Sequence, residues 1–481
     1  MNIFAYFKKK GIDTIDATFY SKIALWDSWY RANVQKFHSY RVYNGSSKYT
    51  CCHRKSLGMA KKVCEDVADL LLNEKVKITL GDADTDAFVK KVLEAANFSV
   101  QGNDYQERKA ACGTVAYVPY LTDMEVAEDG RVISAKVKLD YVVARNIYPT
   151  AWENSRVTEC IFVFEKTHNR KKYAQFQWHK LETSTDEAGN DITQYVIENT
   201  VVEASQGAGR ELTPAEWDKI PYFAGLAPKV ETGSDKPQFV IDKLNIANNV
   251  DEDDTNPMGV ALFANSIDTL AKIDLEYDSY ASEFTLGRKR IFVAPEMLTD
   301  ANGSQVFDPD DTVFYTLPED YFKDSKEAMH EVNMSLRVQE HEQAINNDLN
   351  LLSFKCGFGT QFYRFERGSI ATATQVISEN SDLYDTICKH EIILEDVLKD
   401  LVRSIIRLGK AANVQNLVED TDIVVDFDDS IIEDSTAERQ QDRQDVAMGA
   451  MSLAEYRAKW YGETMEDAEK NLPEQTAGVM F

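Results

Sequence analysis

No stretch of this chain approaches the roughly 18 uninterrupted apolar residues that a membrane-spanning helix needs, so no transmembrane span is expected. The first ten residues set Phe4, Tyr6 and Phe7 ahead of Lys8, Lys9 and Lys10, the reverse of a secretory signal. Cysteine is sparse and scattered. Cys51, Cys52, Cys64, Cys112, Cys160, Cys356 and Cys388 are odd in number and form no CxxC pair. That argues against a disulfide framework or a structural zinc and for a reducing compartment. Positive charge is also short: 53 Lys and Arg face 80 Asp and Glu, for a net charge of −27. Most of such a surface repels free nucleic acid, so a conventional DNA-binding module is not expected. A protein that lets DNA slide past without adhering would carry the same balance.

Catalytic signatures are missing too. There is no GxxxxGK[ST], no GxSxG and no HExxH. Gly207-Ala-Gly209 follows a strand pattern but lacks a third glycine and a helix, and reads as loop. Asp82, Asp84 and Asp86 imitate the start of a calcium loop. Ala87 and Leu93 stand where glycine and glutamate would be required, so an acid-rich helix start is the better reading. Three acidic clusters could supply metal-binding carboxylates: Asp251 to Asp254, Asp308 with Asp310 and Asp311, and Asp426 with Asp428 and Asp429. A two-metal phosphohydrolase would need several to converge, usually near a histidine or lysine. None of His38, His53, His168, His179, His330, His341 and His390 lies beside them in sequence. Solvated acidic loops are the plainer reading, and neither metal nor cofactor is expected.

What is present is pattern. At 481 residues and 43% hydrophobic, the chain is globular and long enough for about three domains. Residues 1 to about 113 read mainly as helices, with Ile23, Trp26, Trp29 and Tyr30 on one stripe and Ala60, Val63, Val67 and Leu71 on another. From Thr114 to Val202 short strands take over, including Val115–Val118, Ile133–Tyr141, Ile161–Phe164 and Tyr173–Trp178. A loop-rich connector runs from Glu203 to Pro257. Asn256-Pro257 then supplies an N-cap and an N1 proline. The helix this predicts carries Phe263, Ile267, Leu270, Ile273, Tyr277, Tyr280 and Phe284, and ends at Gly287 beside Arg288, Lys289 and Arg290. Ile291–Val293 and Thr312–Tyr315 predict a small β insert. Asp324, with Glu327 at the capping-box position, predicts a second long helix with Val332, Leu336, Ile345, Leu349 and Leu352 on its stripe.

A glycine-punctuated break follows, from Cys356-Gly357-Phe358-Gly359 to Arg367-Gly368. Lys355, Arg364 and Arg367 alternate there with Phe358, Phe362, Tyr363 and Phe365, an interleaving that can mark nucleic-acid contact or a loop packed on a neighbour. Thr372 and Gln375 form a capping box for a third helix carrying Val376, Ile387, Leu394, Leu398, Leu401 and Ile405. Asp422–Phe427 predicts a strand, and Ser435 with Glu438 and Ser452 with Glu455 open two short helices.

Three of these stretches resemble the portal proteins of long-tailed bacteriophages. They are Ile246–Val250 with Asn256–Gly259 and Asn265–Asp268; Ile370–Ser381, reading IATATQVISENS; and Phe427–Asp434 with Gln441–Arg443 and Met451–Tyr461. The resemblance implies an α+β fold: residues 1–255 as wing, 256–287 as stem helix, 288–322 as a small β-containing clip, 323–352 as second stem helix, 353–370 as tunnel loop, 371–429 as long helix and strand returning to the wing, and 430–481 as helical crown. It implies a non-enzymatic cyclic ring, usually a dodecamer, at one capsid vertex of the virion, assembled in the host cytoplasm. Double-stranded DNA would pass through it during packaging and ejection. The large terminase and the head–tail adaptor would meet the clip at Arg288, Lys289, Arg290, Asp308, Asp310 and Asp311. Major capsid and scaffolding proteins would be further partners. Lys355, Gly357, Phe358, Gly359, Arg364, Arg367 and Gly368 would line the DNA channel, and Phe263, Ile267, Leu270, Tyr277, Leu336 and Leu349 would pack the stem. The alternative from the residues alone is an acidic metal-dependent phosphohydrolase or nuclease.

Overall fold

Helical periodicity gives way to strand alternation at Gly113, as the sequence predicts. The structure, a computed structural model, describes every residue except 1, 44–47, 74–75, 127–131, 186–190, 294–313, 317–328, 361, 364–372, 428–434, 462 and 473–481. The first segment contains α1 (Ile3–Lys10), α2 (Ala17–Tyr30), the short α3 (Gln35–His38), a hairpin of β1 (Ser39–Tyr43) and β2 (Tyr49–His53), α4 (Met59–Leu71), β3 (Lys77–Leu80), α5 (Ala83–Ala95) and α6 (Phe98–Cys112). The Asn2 side chain caps α1, Gly11 ends it at φ 69°, and Lys8 to Lys10 occupy its last turn. Its apolar face is spent on the sheet: Tyr6 stacks on Phe176 at 4.5 Å between ring centroids. Asp82 caps α5 through Thr85, which confirms the acid-rich helix start.

Two antiparallel sheets form the middle of the body. One orders β12 (Val240–Lys243), β4 (Thr114–Val126) and β5 (Val132–Val143). The other runs β10 (Arg210–Glu211), β9 (Asp191–Glu203), β8 (Lys171–Thr185), β7 (Arg156–His168) and β6 (Ile147–Glu153), with β11 (Lys229–Glu231) also on β9. The predicted connector therefore holds real elements, including α7 (Pro214–Trp217), which covers a small separate core of Tyr173, Trp217 and Phe223.

The second half supplies α8 (Ile267–Leu286), β13 (Arg290–Val293), β14 (Phe314–Thr316), β15 (Met329–Val332), α9 (Val338–Lys355), the 39-residue α10 (Ala373–Ala411), β16 (Ile423–Asp426), α11 (Ser435–Met448), α12 (Leu453–Tyr461) and α13 (Met465–Lys470). β16 returns to pair with β3, and α10 lies along β4, β5 and β12. Leu394, Leu398, Leu401 and Ile405 of α10 are fully buried there, each worth roughly 1.5–3 kcal/mol of burial. The Ser452–Glu455 capping box opens α12, with both reciprocal bonds made.

Two predicted helix starts are corrected. The helix assigned from Pro257 begins at Ile267. Residues 258–263 instead thread beneath α6 as buried irregular chain, because Met258, Val260, Ala261 and Phe263 belong to the main core. The helix assigned from Asp324 begins at Val338. Val332, placed on its stripe, lies in β15, which pairs antiparallel with β13. Over so few residues an apolar stripe does not separate strand from helix.

Candidate functional site

The stem candidate is the pair α8 and α9. Leu270 and Ile273 meet Ile345, Leu349 and Leu352 in its buried seam. A series of polar contacts fixes the direction. Lys355 Nζ donates to Thr269 Oγ1 at 3.2 Å, Lys272 Nζ lies 2.9 Å from Asp348 Oδ1, Tyr280 faces His341 at 5.2 Å, and the Arg337 backbone N–H donates to Glu283 at 3.0 Å. Positions rise along α8 as they fall along α9, so the helices are antiparallel. Burial raises the Glu276 carboxyl, and Asp348 beside it adds to the rise.

The stem-packing residues fall in three places. Leu270 and Leu349 are in the seam, and Ile267 and Tyr277 are half-buried. Phe263 is fully buried but precedes the helix, inside the body. Leu336 is corrected: it lies in the irregular link before α9, 42% exposed, with its Cδ2 close to Gly287. Beyond the seam, Leu275, Phe284 and Leu286 of α8 and Leu351 and Phe354 of α9 are exposed.

At the far end of the stem, β13 is the central strand between β14, parallel, and β15, antiparallel. Gly287 closes α8, as predicted. Arg288 follows it exposed, Arg290 opens β13, and Lys289 pairs with Glu331 across the sheet at 2.7 Å. Asp308, Asp310 and Asp311 lie outside the described residues.

The first part of the glycine break, through Gly359 with Phe362 and Tyr363, is more ordered than its composition predicts. The Gly357 N–H donates to Phe354 O and the Phe358 N–H to Ser353 O, at 3.2 and 3.0 Å, with Gly357 at φ 84°. These bonds make a Schellman cap, the helix ending that needs a residue in the left-handed region. The turn delivers Phe358 to the core. It is 2% exposed and stacks on Phe362 at 4.8 Å. Gly359 is buried beside it. The Tyr363 hydroxyl donates to Asp66 Oδ2 on α4 at 2.8 Å, tying the segment to the body. Burial pushes the Cys356 thiol up to about 12, which leaves it inert at neutral pH. Lys355 belongs to α9 rather than to a loop. Arg364, Arg367 and Gly368 lie outside the described residues.

Sequence reasoning missed the joint between body and stem. Gly113, at φ 84°, and Gly259 pass so closely that a Cβ on either would sit 2.3 Å from the other's carbonyl oxygen. The Gly259 N–H donates to Thr114 Oγ1 at 2.9 Å, and the Leu262 N–H to Ala110 O at 2.8 Å. Beside this crossing, Lys109 Nζ lies 2.9 Å from Asp242 Oδ1 with both side chains buried, and Gln106 donates to Asp242 Oδ2 at 2.8 Å. Burial pulls the Lys109 ammonium below its ordinary value, and Asp242 offsets part of that. His390 of α10 accepts the Asn245 N–H, and burial holds it neutral, at about 3. No sequence motif marks these pairs. They join positions more than 130 residues apart.

Of the acidic clusters, only Asp251 to Asp254 and Asp426 lie among the described residues. Asp251 and Asp253 cap their own loop through Glu252 and Thr255, and Asp426 sits exposed on β16. Asp428 and Asp429 lie outside the described residues. Among the described residues, no three His, Cys, Asp or Glu side chains come together as a metal-sized group.

A body, an antiparallel helix pair tipped by a small sheet, a glycine-capped break and a 39-residue return helix therefore occur in one chain. A family model described as "Phage portal protein, SPP1 Gp6-like" matches residues 9–475. The chain belongs to the phage portal proteins. No match emerges from comparison with individually curated proteins. Portal proteins are components of the phage capsid, structural rather than catalytic as a family, and work as homo-oligomeric rings in contact with DNA and other phage proteins. No helix among the described residues is long and apolar enough to cross a membrane.

Proposed function

We propose that copies of this chain close into a ring, of twelve copies by family resemblance, that conducts double-stranded DNA into and out of the capsid. In this reading residues 1–255 form the wing, α8 and α9 the stem, the β13–β15 sheet the clip, residues 353–370 the channel loop, and residues 430–481 the crown. The clip, with Arg288, Lys289 and Arg290, meets the large terminase during packaging and the head–tail adaptor afterwards. The observation that carries the reading is the stem pair, which leaves Leu275, Phe284, Leu286, Leu351 and Phe354 uncovered in a single copy. A helix pair with apolar residues on its outside buries them against neighbours, and cyclic symmetry closes such head-to-tail contacts. An acidic chain of net −27 keeps phosphate from adhering to the channel.

The anchoring of Phe358 and Tyr363 narrows the loop. DNA contact falls to Arg364 and Arg367 rather than to Gly357, Phe358 or Gly359, whose place is in the cap and the core. Electron micrographs of the purified protein test the ring: annular particles with a central channel are expected. Compact single copies that cleave phosphodiesters with Mg²⁺ would favour the phosphohydrolase instead. Deleting residues 364–370 should leave rings intact and lower DNA packaging, and normal packaging by that variant would remove the loop's role.

A further inference from the structure

From Ser28 to Cys64 the chain contains eight basic residues (Arg31, Lys36, Arg41, Lys48, Arg54, Lys55, Lys61 and Lys62) and no acid. The rest of the chain sets 45 basic residues against all 80 acids. This reversal of charge centres on the β1–β2 hairpin. The strands pair only with each other among the described residues, from Ser39↔His53 to Tyr43↔Tyr49. Almost nothing covers them: Val42 is 45%, Tyr43 59% and Tyr49 69% exposed, and the two tyrosines meet edge-on at 5.4 Å.

The base of the hairpin is held firmly. His38, fully buried, lies with Nε2 3.1 Å from Asp274 Oδ2 of α8, and its Nδ1 accepts the Val34 N–H. The Leu57 N–H donates to Asp274 Oδ1 at 2.8 Å, and the Lys55 N–H to Asp278 at 3.1 Å. Both ends of the ribbon are therefore stapled to α8, the stem helix. Arg54 lies over the Phe37 and Tyr40 rings, at 4.2 and 5.1 Å. No carboxylate among the described residues pairs with Arg41, Arg54 or the Lys55 ammonium.

A two-stranded ribbon alone is marginal in water and leaves both edges open. This one is rooted in α8, carries unpaired cations and exposes an apolar pair of tyrosines. We infer that the β1–β2 hairpin is a basic arm that docks on the acidic surface of a second copy of this chain. The inference rests on the ring reading and adds the contact that helps copies of charge −27 tolerate one another. Charge complementarity favours a second copy, since the chain outside the arm carries 80 acids against 45 basic residues. Duplex DNA fits less well. The described strands themselves hold one cation, Arg41, among exposed valine and tyrosine, with Arg54 and Lys55 at the base, a cluster rather than the row of cations that tracks a phosphate backbone.

Tyr49→p-benzoylphenylalanine, at a site exposed enough to tolerate it, tests the arm in the assembled full-length protein. Illumination of rings should give a ladder of covalent multimers on a denaturing gel. Adding Arg41→Glu should lower that yield at least about five-fold at low salt, with rings judged by electron microscopy. Intact rings with no inter-copy adduct would overturn the arm while leaving the ring reading standing. Transfer of the label to added duplex DNA would overturn it in favour of a nucleic-acid contact. Absence of rings in the unsubstituted protein would defeat the ring reading, and the arm with it.

Discussion

The body and the α8–α9 pair, the proposed stem, solve the burial problem differently. In the body, α1, α2, α4, α6, the sheets and α10 share one continuous core, and its buried ion pair is answered locally, Lys109 by Asp242 and Asp242 in turn by Gln106. In the α8–α9 pair the seam joins that core and α8 also holds the hairpin base through Asp274 and Asp278, but large apolar side chains face outward on both helices. The body's core closes within one copy, whereas the outer faces of α8 and α9 are left uncovered. A change in the body should therefore act on stability, whereas a change on the outer stem should act on assembly.

The largest effect is expected where the two meet. Gly259→Ala would place a methyl group 2.3 Å from Gly113 O, and Gly113→Ala would add the strain of φ 84°. Backbone cannot yield there without moving α6 or the threaded segment, so a loss of about 4 kcal/mol or more is expected. Urea unfolding or the yield of soluble protein measures it. Gly225→Ala is the control: its φ is 77°, but its Cβ would meet nothing within 4 Å, and only about 1 kcal/mol should be lost. Equal losses at the two sites would mean that the joint is not the close crossing described.

This joint was invisible in the sequence for a physical reason. Asn256-Pro257 is a sound local signal for a helix start, yet the burial of Met258 to Phe263 outweighs it. Likewise, Asp324 and Glu327 pattern a capping box, but Val332 is claimed by β15, where it pairs with Arg290, 42 residues earlier. What was legible was what local chemistry decides: the Asp82 and Ser452 caps, the end of α8 at Gly287, and the strands from Val115 to Trp178. The break was half legible. Its glycines announced a turn, and Gly357 makes one, but nothing in a sequence says which way the next residue faces. Phe358 turns inward to the core.

Acid should act on the two regions with opposite sign. Burial holds His179, wedged edge-on between Phe162 and Phe239, at about 3. Its unfolded value is near 6.5, so the unfolded state binds the extra proton between the two. The stability this gives is present above about pH 6.5 and is lost as pH falls toward 3, about 2 kcal/mol of it by pH 5. Glu276 in the stem is the reverse. Its folded carboxyl is raised, so the penalty it carries at neutral pH is relieved as pH falls. His179→Phe should therefore flatten the fall in urea stability from pH 7 to 5, and Glu276→Gln should steepen it. Parallel curves for the two variants would erase the contrast.

The smallest effect on stability is expected from the outer stem, and it bears most directly on the comparison. Leu286 is 63% exposed and Phe284 49%, so neither side chain contributes much to the fold of one copy. Leu286→Ser with Phe284→Ser should change the unfolding free energy of single copies by no more than about 0.5 kcal/mol per site. The same substitutions remove apolar area that a neighbour would cover, at roughly 25 cal/mol per Å², and the loss repeats at every interface of a closed ring. Mass photometry at fixed concentration should then show fewer rings and more single copies, with circular dichroism unchanged. A loss of 2 kcal/mol or more in the single copy would place these side chains in the chain's own core. Full ring yield would mean that the copies meet through another surface, with the basic arm and the wing next in line.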